Sequence, residues 1–290
     1  KSFGTGETIE WEGKITVVAG ATYAIHTLKQ SYTAMGERFL FYNLIQPDRI
    51  EAARRNMENQ EKGNMPARRG ELSDMMHEYV DVSIEIPDNM PVLSRELQDK
   101  ILSLAELATR ARSETERNWR SPQMEITEVH PPEMPTRFAG SIMSIAISLM
   151  IINWNETGEF ALLEDDKKIL YKVSLDSVTK SKRTAMQELA KYDMIETSGL
   201  ATKIGFPTPT IRRWMEDLTA LGVAEREKGS GPKGDKWKIV PIYREIILRF
   251  EGIKAEGGEL TGDNAEEGSL APSERKLIEE ESKAEAQRRL

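Results

Sequence analysis

Eight residues between positions 203 and 236 are of the types that contact phosphates and base edges in DNA. Arginine and lysine neutralise phosphate charge, and arginine and threonine can also reach base edges. The segment Thr197–Val240 carries eight basic and five acidic residues, whereas the whole chain has a formal net charge of -8. A local positive excess against the overall sign is typical of a phosphate-facing surface. The candidate DNA-binding residues are Lys203, Thr208, Thr210, Arg212, Arg213, Lys228, Lys233 and Lys236.

Two short helices position the first of these residues. The first helix ends at Gly205–Phe206–Pro207, because proline lacks a backbone donor and clashes with the preceding turn. Thr208 then offers an N-cap hydroxyl, and Pro209 suits the first helical position. The polar start of this second helix is the end that meets base edges when a helix enters a major groove. The apolar stripes are Leu200, Ala201 and Ile204 in the first helix, and Ile211, Met215, Leu218 and Leu221 in the second.

After Gly222 the pattern changes to that of a β-hairpin. Residues 223–227 and 237–240 read as strands around a turn rich in Gly and Pro at 229–234. Two helices followed by a hairpin predict a winged helix-turn-helix over residues 174–250, with Arg183–Ala190 in its first helix. DNA binding is the function that this arrangement predicts. Two alternatives remain: winged helices also dock proteins, and lysines on a hairpin can be only a solvated edge.

The composition bounds the class of protein. With 290 residues, 39% hydrophobic and 30% charged, the chain can bury a sizeable core in about two domains. There is no cysteine, and His26, His77 and His130 are scattered, so we expect no metal site and a reducing cytoplasm. The longest apolar run, Ile142–Ile152, is too short to span a bilayer, so no membrane partner is expected. The chain starts at Lys1 without methionine, and we expect it to begin inside a longer protein.

A second candidate site lies near the start of the chain. Gly13–Thr22 is a β-branched run between glycines, the pattern of a strand buried on both faces of an α/β sheet. Ligands bind beyond the carboxyl ends of such strands, where Thr22 lies. The segment Thr33–Leu44 carries Arg38 among apolar residues and leads into a second predicted strand. The simpler alternative is that Arg38 pairs with a neighbouring carboxylate and that Thr22 caps a helix.

This order of motifs resembles a known family. A strand that ends in Gly20–Ala21–Thr22, followed by Gly36–Leu40 (Gly-Glu-Arg-Phe-Leu), is similar to the sensor-1 strand and Arg-Phe motif of AAA+ P-loop ATPases. The resemblance is greatest to those of phage and mobile-element DNA-replication or helicase-type proteins. It implies that Thr22 helps to place the attacking water and that Arg38 acts in trans on a neighbouring subunit's nucleotide. It also implies ATP and magnesium as cofactors, a homo-oligomer in the full-length protein, and replication proteins as partners.

The lid of that family also has a counterpart. After the break at Pro131–Pro135, a helix that starts with Thr136–Arg137–Phe138 resembles the sensor-2 helix, and Arg137 matches its nucleotide-binding arginine. However, the phosphate-binding consensus Gly-x-x-x-x-Gly-Lys-Ser/Thr has no match in this sequence. We therefore expect the nucleotide-binding half to precede Lys1. As given, the chain should neither hydrolyse ATP nor bind it tightly.

The remaining segments, between these motifs and after them, are predicted to be mostly helical or disordered. Helices are predicted at 50–60, 70–79 and 91–119, and a half-exposed strand at 80–86. Arginines along the third helix contact nucleotide or DNA or, as the simpler interpretation, form surface ion pairs. Residues 251–290 carry eleven acidic and six basic residues and few large apolar ones, so we expect a disordered tail with an exposed helix at Ser273–Arg289. This tail either competes with DNA for the basic hairpin or only aids solubility.

The predicted fold is mostly α. It consists of an α/β remnant of a P-loop ATPase core (1–130), an α-helical lid (131–173), a winged-helix α+β domain (174–250) and an acidic tail (251–290). The leading hypothesis is the C-terminal fragment of a phage-type AAA+ ATPase that binds DNA in replication or remodelling. The alternatives are a non-enzymatic DNA-binding regulator and a winged helix used for protein docking.

Overall fold

The computed structural model describes residues 17–21, 39–44, 49–61, 63, 65–81, 84–118, 120–121, 124–229 and 234–251. These residues are mostly helical, as predicted, with two small antiparallel sheets. The helices are α1 (Arg49–Glu61), α2 (Met65–Asp81), α3 (Arg95–Arg112), α4 (Thr136–Thr157), α5 (Glu164–Asp176), α6 (Lys180–Ala190), α7 (Thr197–Ile204), α8 (Thr208–Ala220) and α9 (Pro241–Glu251). The strands are β1 (Thr115–Arg117), β2 (Ile126–Val129), β3 (Ile195–Glu196), β4 (Ala224–Glu227) and β5 (Lys236–Ile239).

The three helices predicted in the middle of the chain are confirmed as α1, α2 and α3, with shifted ends. α3 is shorter than the predicted 91–119 at both ends, because it begins after Ser94 and ends at Arg112, just before β1. The hydroxyl of Ser94 accepts a hydrogen bond from the amide of Leu97 at 3.3 Å, which satisfies one free donor of the first turn. Local capping, rather than the apolar stripe, therefore sets where α3 starts.

The strands predicted in the first half are wrong wherever their residues are described. Val17 and Val18 were expected to be buried, but both are exposed, and neither 17–21 nor 39–44 lies in a strand. β-branched residues favour strands only when neighbouring strands and a buried face are present. Both sheets among the described residues are antiparallel, so no parallel sheet lies within the ranges that the structure describes.

The strand predicted at 80–86 is replaced by other structure. Val80 and Asp81 belong to the end of α2, and residues 84–86 form no ladder. The backbone of Glu85 bonds instead to the side-chain amide of Asn155 in α4, which accepts from its amide at 2.9 Å and donates to its carbonyl at 3.0 Å. A side chain thus satisfies the backbone groups that a partner strand would have satisfied.

Two hydrophobic cores share α3 and α5. One face of α3 packs with α4 in the first core, and another face joins the core built by α6–α9. α5 divides its buried residues in the same way, and position 174, where the winged segment was predicted to start, lies inside α5. In the first core α3 and α5 contribute Ile101, Ala105, Ala108, Leu170 and Val173, and in the second Leu104, Leu107, Ala111, Tyr171 and Leu175.

The C-terminal half has the order α6, β3, α7, α8, β4, β5, α9. Its sheet is three-stranded and antiparallel, with β5 between β3 and β4. Trp237 of the central strand lies opposite Ile195 on one side and Arg226 on the other. α6, α7 and α8 pack with this sheet in one core that includes buried Leu189, Leu200, Met215 and Trp237.

α4 is longer than the apolar run in its sequence suggested. It has 22 residues, and its mean hydropathy reaches 1.4, so by length and composition it is the one described helix that could cross a membrane. The helix extends well beyond the apolar run Ile142–Ile152, on whose length the expectation rested. Its inner face, with Phe138, Ile142 and Met150, packs in the first core, as in a core helix of a globular protein. Length and composition alone therefore do not indicate a membrane span.

Candidate nucleic-acid interface

The turn between α7 and α8 has the predicted break. Gly205 follows the last residue of α7 with φ +76°, and its amide donates to the carbonyl of Ala201 at 2.8 Å. Glycine adopts this left-handed backbone at little cost. Next to it, the ring of Phe206 lies 5.1 Å from that of Trp214 on α8. This contact packs the α7–α8 turn against α8.

α8 buries the predicted stripe and leaves its start exposed. Ile211, Met215 and Leu218 are buried, together with Trp214, which was not predicted. Thr208 is the first helical residue rather than the cap, and no side-chain hydrogen bond caps the helix. Pro209 has no amide donor, and the amide of Thr210 donates to the carbonyl of Pro207 at 2.9 Å, so among the first three helical residues only the amide of Thr208 lacks an intrahelical partner. The exposed end of α8 is therefore both polar and electropositive.

The β4–β5 hairpin is confirmed and is fastened to the start of α7. Trp237 is fully buried, and its indole nitrogen donates to the hydroxyl of Thr197 at 2.8 Å. The hydroxyl and the amide of Thr197 each donate to the carbonyl of Asp235 at 3.0 Å. These bonds set the position of the hairpin relative to α7 and α8. The tip of the hairpin, including Lys233, lies outside the described residues.

Asp235, at the base of this hairpin, forms ion pairs with two arginines. Its carboxylate accepts from Arg226 at 2.6 Å and from the amide of Gly229 at 3.4 Å, and Arg212 lies 3.2 Å away. Burial by itself would raise the pKa of Asp235, but the hydrogen bond and charge of Arg226, with smaller contributions from Gly229 and Arg212, lower it below the ordinary value. The carboxylate is therefore ionised at neutral pH and holds both arginines.

Arg212 links α8 to the hairpin. Its Nε lies 3.2 Å from Glu216 on the same helix, and its Nη2 lies 3.2 Å from Asp235. The side chain remains 52% exposed. Arg212 is thus held by two carboxylates of its own chain, but it stays accessible to a phosphate or base on the solvent side.

The β1–β2 hairpin was not predicted, and it holds α8 through Arg117. The Arg117 side chain is only 3% exposed; it contacts Asp217 at 2.6 Å and Glu216 at 3.2 Å. It also donates to the backbone carbonyls of Met124 and Arg213 at 2.8 and 2.9 Å. The interpretation of this arginine as a surface ion pair was wrong, because it is buried against α8. Strands of three and four residues are too short for a periodicity signal.

Arg213 is turned toward the same hairpin. Its Nη1 lies 3.1 Å from the sulfur of Met124, and its other nitrogens donate to Pro209 and Thr210 at 3.3 Å. Met124 has a positive φ of 49°, which is uncommon for a residue other than glycine. The β1–β2 turn therefore covers the side of α8 from which Arg213 projects, and Arg213 is less available to a ligand than Arg212.

The structure brings together part of the candidate set. Thr208 and Lys228 are exposed, and Lys203 and Lys236 are half-buried. None of these lysines forms an ion pair with any residue that the structure describes. They lie on α7 and on the β4–β5 hairpin, the elements that adjoin the start of α8.

Of the three nucleotide-site candidates, the structure describes only Arg137. Thr22 and Arg38 lie outside the described residues. Arg137 is exposed in the first turn of α4, a helix of the first core, not of the α6–α9 segment.

Comparisons of the chain with models of protein families, with curated proteins and with solved structures found no match.

Proposed function

We propose that the chain binds double-stranded DNA through a winged helix formed by α6–β5. In this proposal α8 enters the major groove by its exposed N-terminal turn, and the β4–β5 hairpin is the wing that contacts phosphates. The single observation that supports it best is the 3.2 Å contact between Arg212, near the start of α8, and Asp235 at the base of the β4–β5 hairpin. The exposed Thr208 and Arg212 would then face the bases.

The distribution of ion pairs supports a phosphate-facing role for three lysines. Lys203, Lys228 and Lys236 have no carboxylate partner in the described part of the chain, whereas Arg226 and Lys238 on the same hairpin are paired. Cations without an ion-pair partner attract phosphates and release counterions when they bind. Most of the affinity should therefore come from these lysines, and the sequence preference from α8.

The test is fluorescence anisotropy of a labelled DNA duplex with the whole chain over a salt series. Replacing the three lysines together by alanine should weaken binding and make the slope of log K against log salt shallower by about 0.9 for each lost contact. The matched control removes three positive charges elsewhere, at Arg95, Lys167 and Lys168. The proposal fails if both triple variants lose the same affinity, because the effect would then be net charge alone.

A second candidate is a docking module for another protein. One observation favours it: Arg212 and Arg213 on α8 are already engaged by Glu216, Asp235 and Met124 of the same chain. A helix that read bases would have to give up these contacts. If the folded wild-type chain does not bind duplex DNA at low salt, the result favours protein docking over DNA binding.

ATP hydrolysis with magnesium, oligomerisation and replication partners stay predictions from the AAA+ resemblance. They apply to a longer protein and rest on Thr22 and Arg38, both outside the described residues. The measurement that tests them is ATP turnover of that longer protein with Arg38→Ala. Unchanged turnover would remove this arginine from any catalytic role.

A further inference from the structure

Three side chains of the metal-ligating type meet on the outer face of the β1–β2 hairpin. Glu116 lies directly opposite Glu128 across the two strands, and His130 follows Glu128 by two positions on the same face. Nε2 of His130 lies 3.2 Å from Oε1 of Glu116. One ligand atom from each residue lies within 4.8 Å of the others. We propose that these three residues bind one divalent transition-metal ion, for which Zn²⁺ is the best probe.

The electrostatics of this face favour a bound cation. Like charges directly opposite each other in an antiparallel pair destabilise it. In the described part of the chain, no lysine or arginine forms an ion pair with Glu116 or Glu128, and Glu116 has only His130 beside it. By contrast, the carboxylates of Asp176, Asp217 and Asp235 all have an arginine partner. A dication between the two glutamates would relieve the repulsion between them.

The hairpin presents these ligands from a fixed base. On its opposite face, Thr115 and Arg117 are buried and bond to Asp217 of α8 at 2.8 and 2.6 Å. At the far end of the ladder the amide of His130 donates to the carbonyl of Glu114 at 3.0 Å. The pairing register shifts between Glu116 and Arg117, and such irregularities re-aim side chains. A rigid base lowers the ordering cost of bringing three ligands to one ion.

The side chains retain the freedom that coordination requires. Those of Glu116 and His130 are 58% and 46% exposed, so an ion reaches them directly from solvent. A tetrahedral zinc ion with bonds near 2.0 Å needs ligand atoms about 3.3 Å apart. Rotation of the glutamate side chains closes the remaining distance without moving the backbone.

The donor set selects the class of metal. One imidazole and two carboxylates suit zinc and neighbouring transition metals, whereas magnesium and calcium prefer sites built from oxygen alone. Three protein ligands leave one tetrahedral position for water. Because the ion ties β1 to β2, its binding should also stabilise the hairpin that holds α8 through Arg117.

The test is a Zn²⁺ titration of the untagged whole chain by isothermal titration calorimetry. We expect one saturable site, and the substitutions Glu128→Gln and His130→Ala should each weaken it more than about tenfold. Two matched controls should leave it unchanged. Glu125→Gln removes the same charge from an exposed position of the same hairpin segment, and His77→Ala removes an exposed histidine on α2.

A second readout separates coordination from a loss of folding. Circular dichroism should show the same helical signal for all four variants, since each altered side chain is exposed. Zinc should slow hydrogen exchange at the β1 and β2 amides in the wild type but not in Glu128→Gln. The proposal is overturned if the wild type shows no saturable site, if Glu128→Gln binds zinc as well as Glu125→Gln does, or if excess magnesium displaces the ion.

Discussion

Arg117 is the side chain on which the position of α8 depends most directly, because it fills a buried space between β1 and two carboxylates of that helix. We expect Arg117→Ala to lower the free energy of unfolding by about 3–5 kcal/mol, since Glu216 and Asp217 lose their buried partner. Urea unfolding measures this. The control, Arg95→Ala, removes an exposed arginine and should change stability by less than about 0.5 kcal/mol. Equal midpoints for both variants would contradict the anchoring role.

Asp235 gives the protein a pH dependence of known sign. Its folded-state pKa is lowered, because Arg226, Gly229 and Arg212 outweigh the effect of burial. The carboxylate therefore stabilises the fold at neutral pH, and this contribution is lost as the pH falls below about 4, through the lowered pKa. Asp235→Asn should be less stable than wild type near neutrality, and the difference should shrink in acid. Urea unfolding over a pH series measures it; a constant difference would exclude this explanation.

Glu216 competes with DNA for Arg212 if α8 reads DNA. We expect Glu216→Gln to tighten duplex binding by up to about fivefold, the factor that corresponds to about 1 kcal/mol for the pair with Arg212, and to lower the urea midpoint because Arg117 also loses a partner. The anisotropy assay measures it. Glu164→Gln, which removes an exposed carboxylate from α5, is the control for net charge and should bind DNA like the wild type.

At the scale of elements, the α7–α8 turn depends on one glycine. Gly205 has a φ of +76°, and a side chain at this backbone conformation costs about 1–2 kcal/mol. Gly205→Ala should therefore lower the melting temperature and, under the proposed function, weaken DNA binding. Gly140→Ala on α4 is the matched control, since no atom lies within 4 Å of the added methyl group. It should be neutral or slightly stabilising. If both variants are destabilised equally, the positive φ of Gly205 does not explain the loss of stability.

The elements that the sequence predicted correctly are those with a long local signal. The stripe of α8 and the hairpin β4–β5 follow from periodicity and turn residues that are close in the chain. β1 and β2 were missed because such short strands have no periodicity of their own. The strand predicted at 80–86 does not form, because its first residues belong to α2 and the backbone of Glu85 forms hydrogen bonds with the side chain of Asn155.

The candidate site also has features that the sequence predicts and features that it does not. Its residue types and the polar start of α8 could be predicted, whereas its ion pairs could not. Arg117 contacts Glu216 across 99 positions, and Arg212 reaches Asp235 only because the hairpin folds back to α8. The grouping of Glu116, Glu128 and His130 also depends on strand register, which no spacing in the sequence reveals.

At the scale of the whole molecule, α3 couples the two cores. Leu104 of α3 is buried in the core of α6–α9, and we expect Leu104→Ala to cost about 2–5 kcal/mol. Because neighbouring residues of α3 pack in the other core, native-state hydrogen exchange should speed up in both α4 and α8. Leu102→Ala, on the same helix but 48% exposed, should have a small effect. Faster exchange confined to α8 would show that the cores open independently.

The shared helix also limits how the segment α6–α9 could be moved between proteins. Many DNA-binding domains are joined to the rest of their protein by a linker, and they still fold when they are fused to another protein. A cut at residue 174 would pass through α5 and remove Leu104, Leu107 and Tyr171 from the core beneath α8. A gene rearrangement that moved α6–α9 to another protein would also have to move α3 and the β1–β2 hairpin. We therefore expect the two cores to be transferred together.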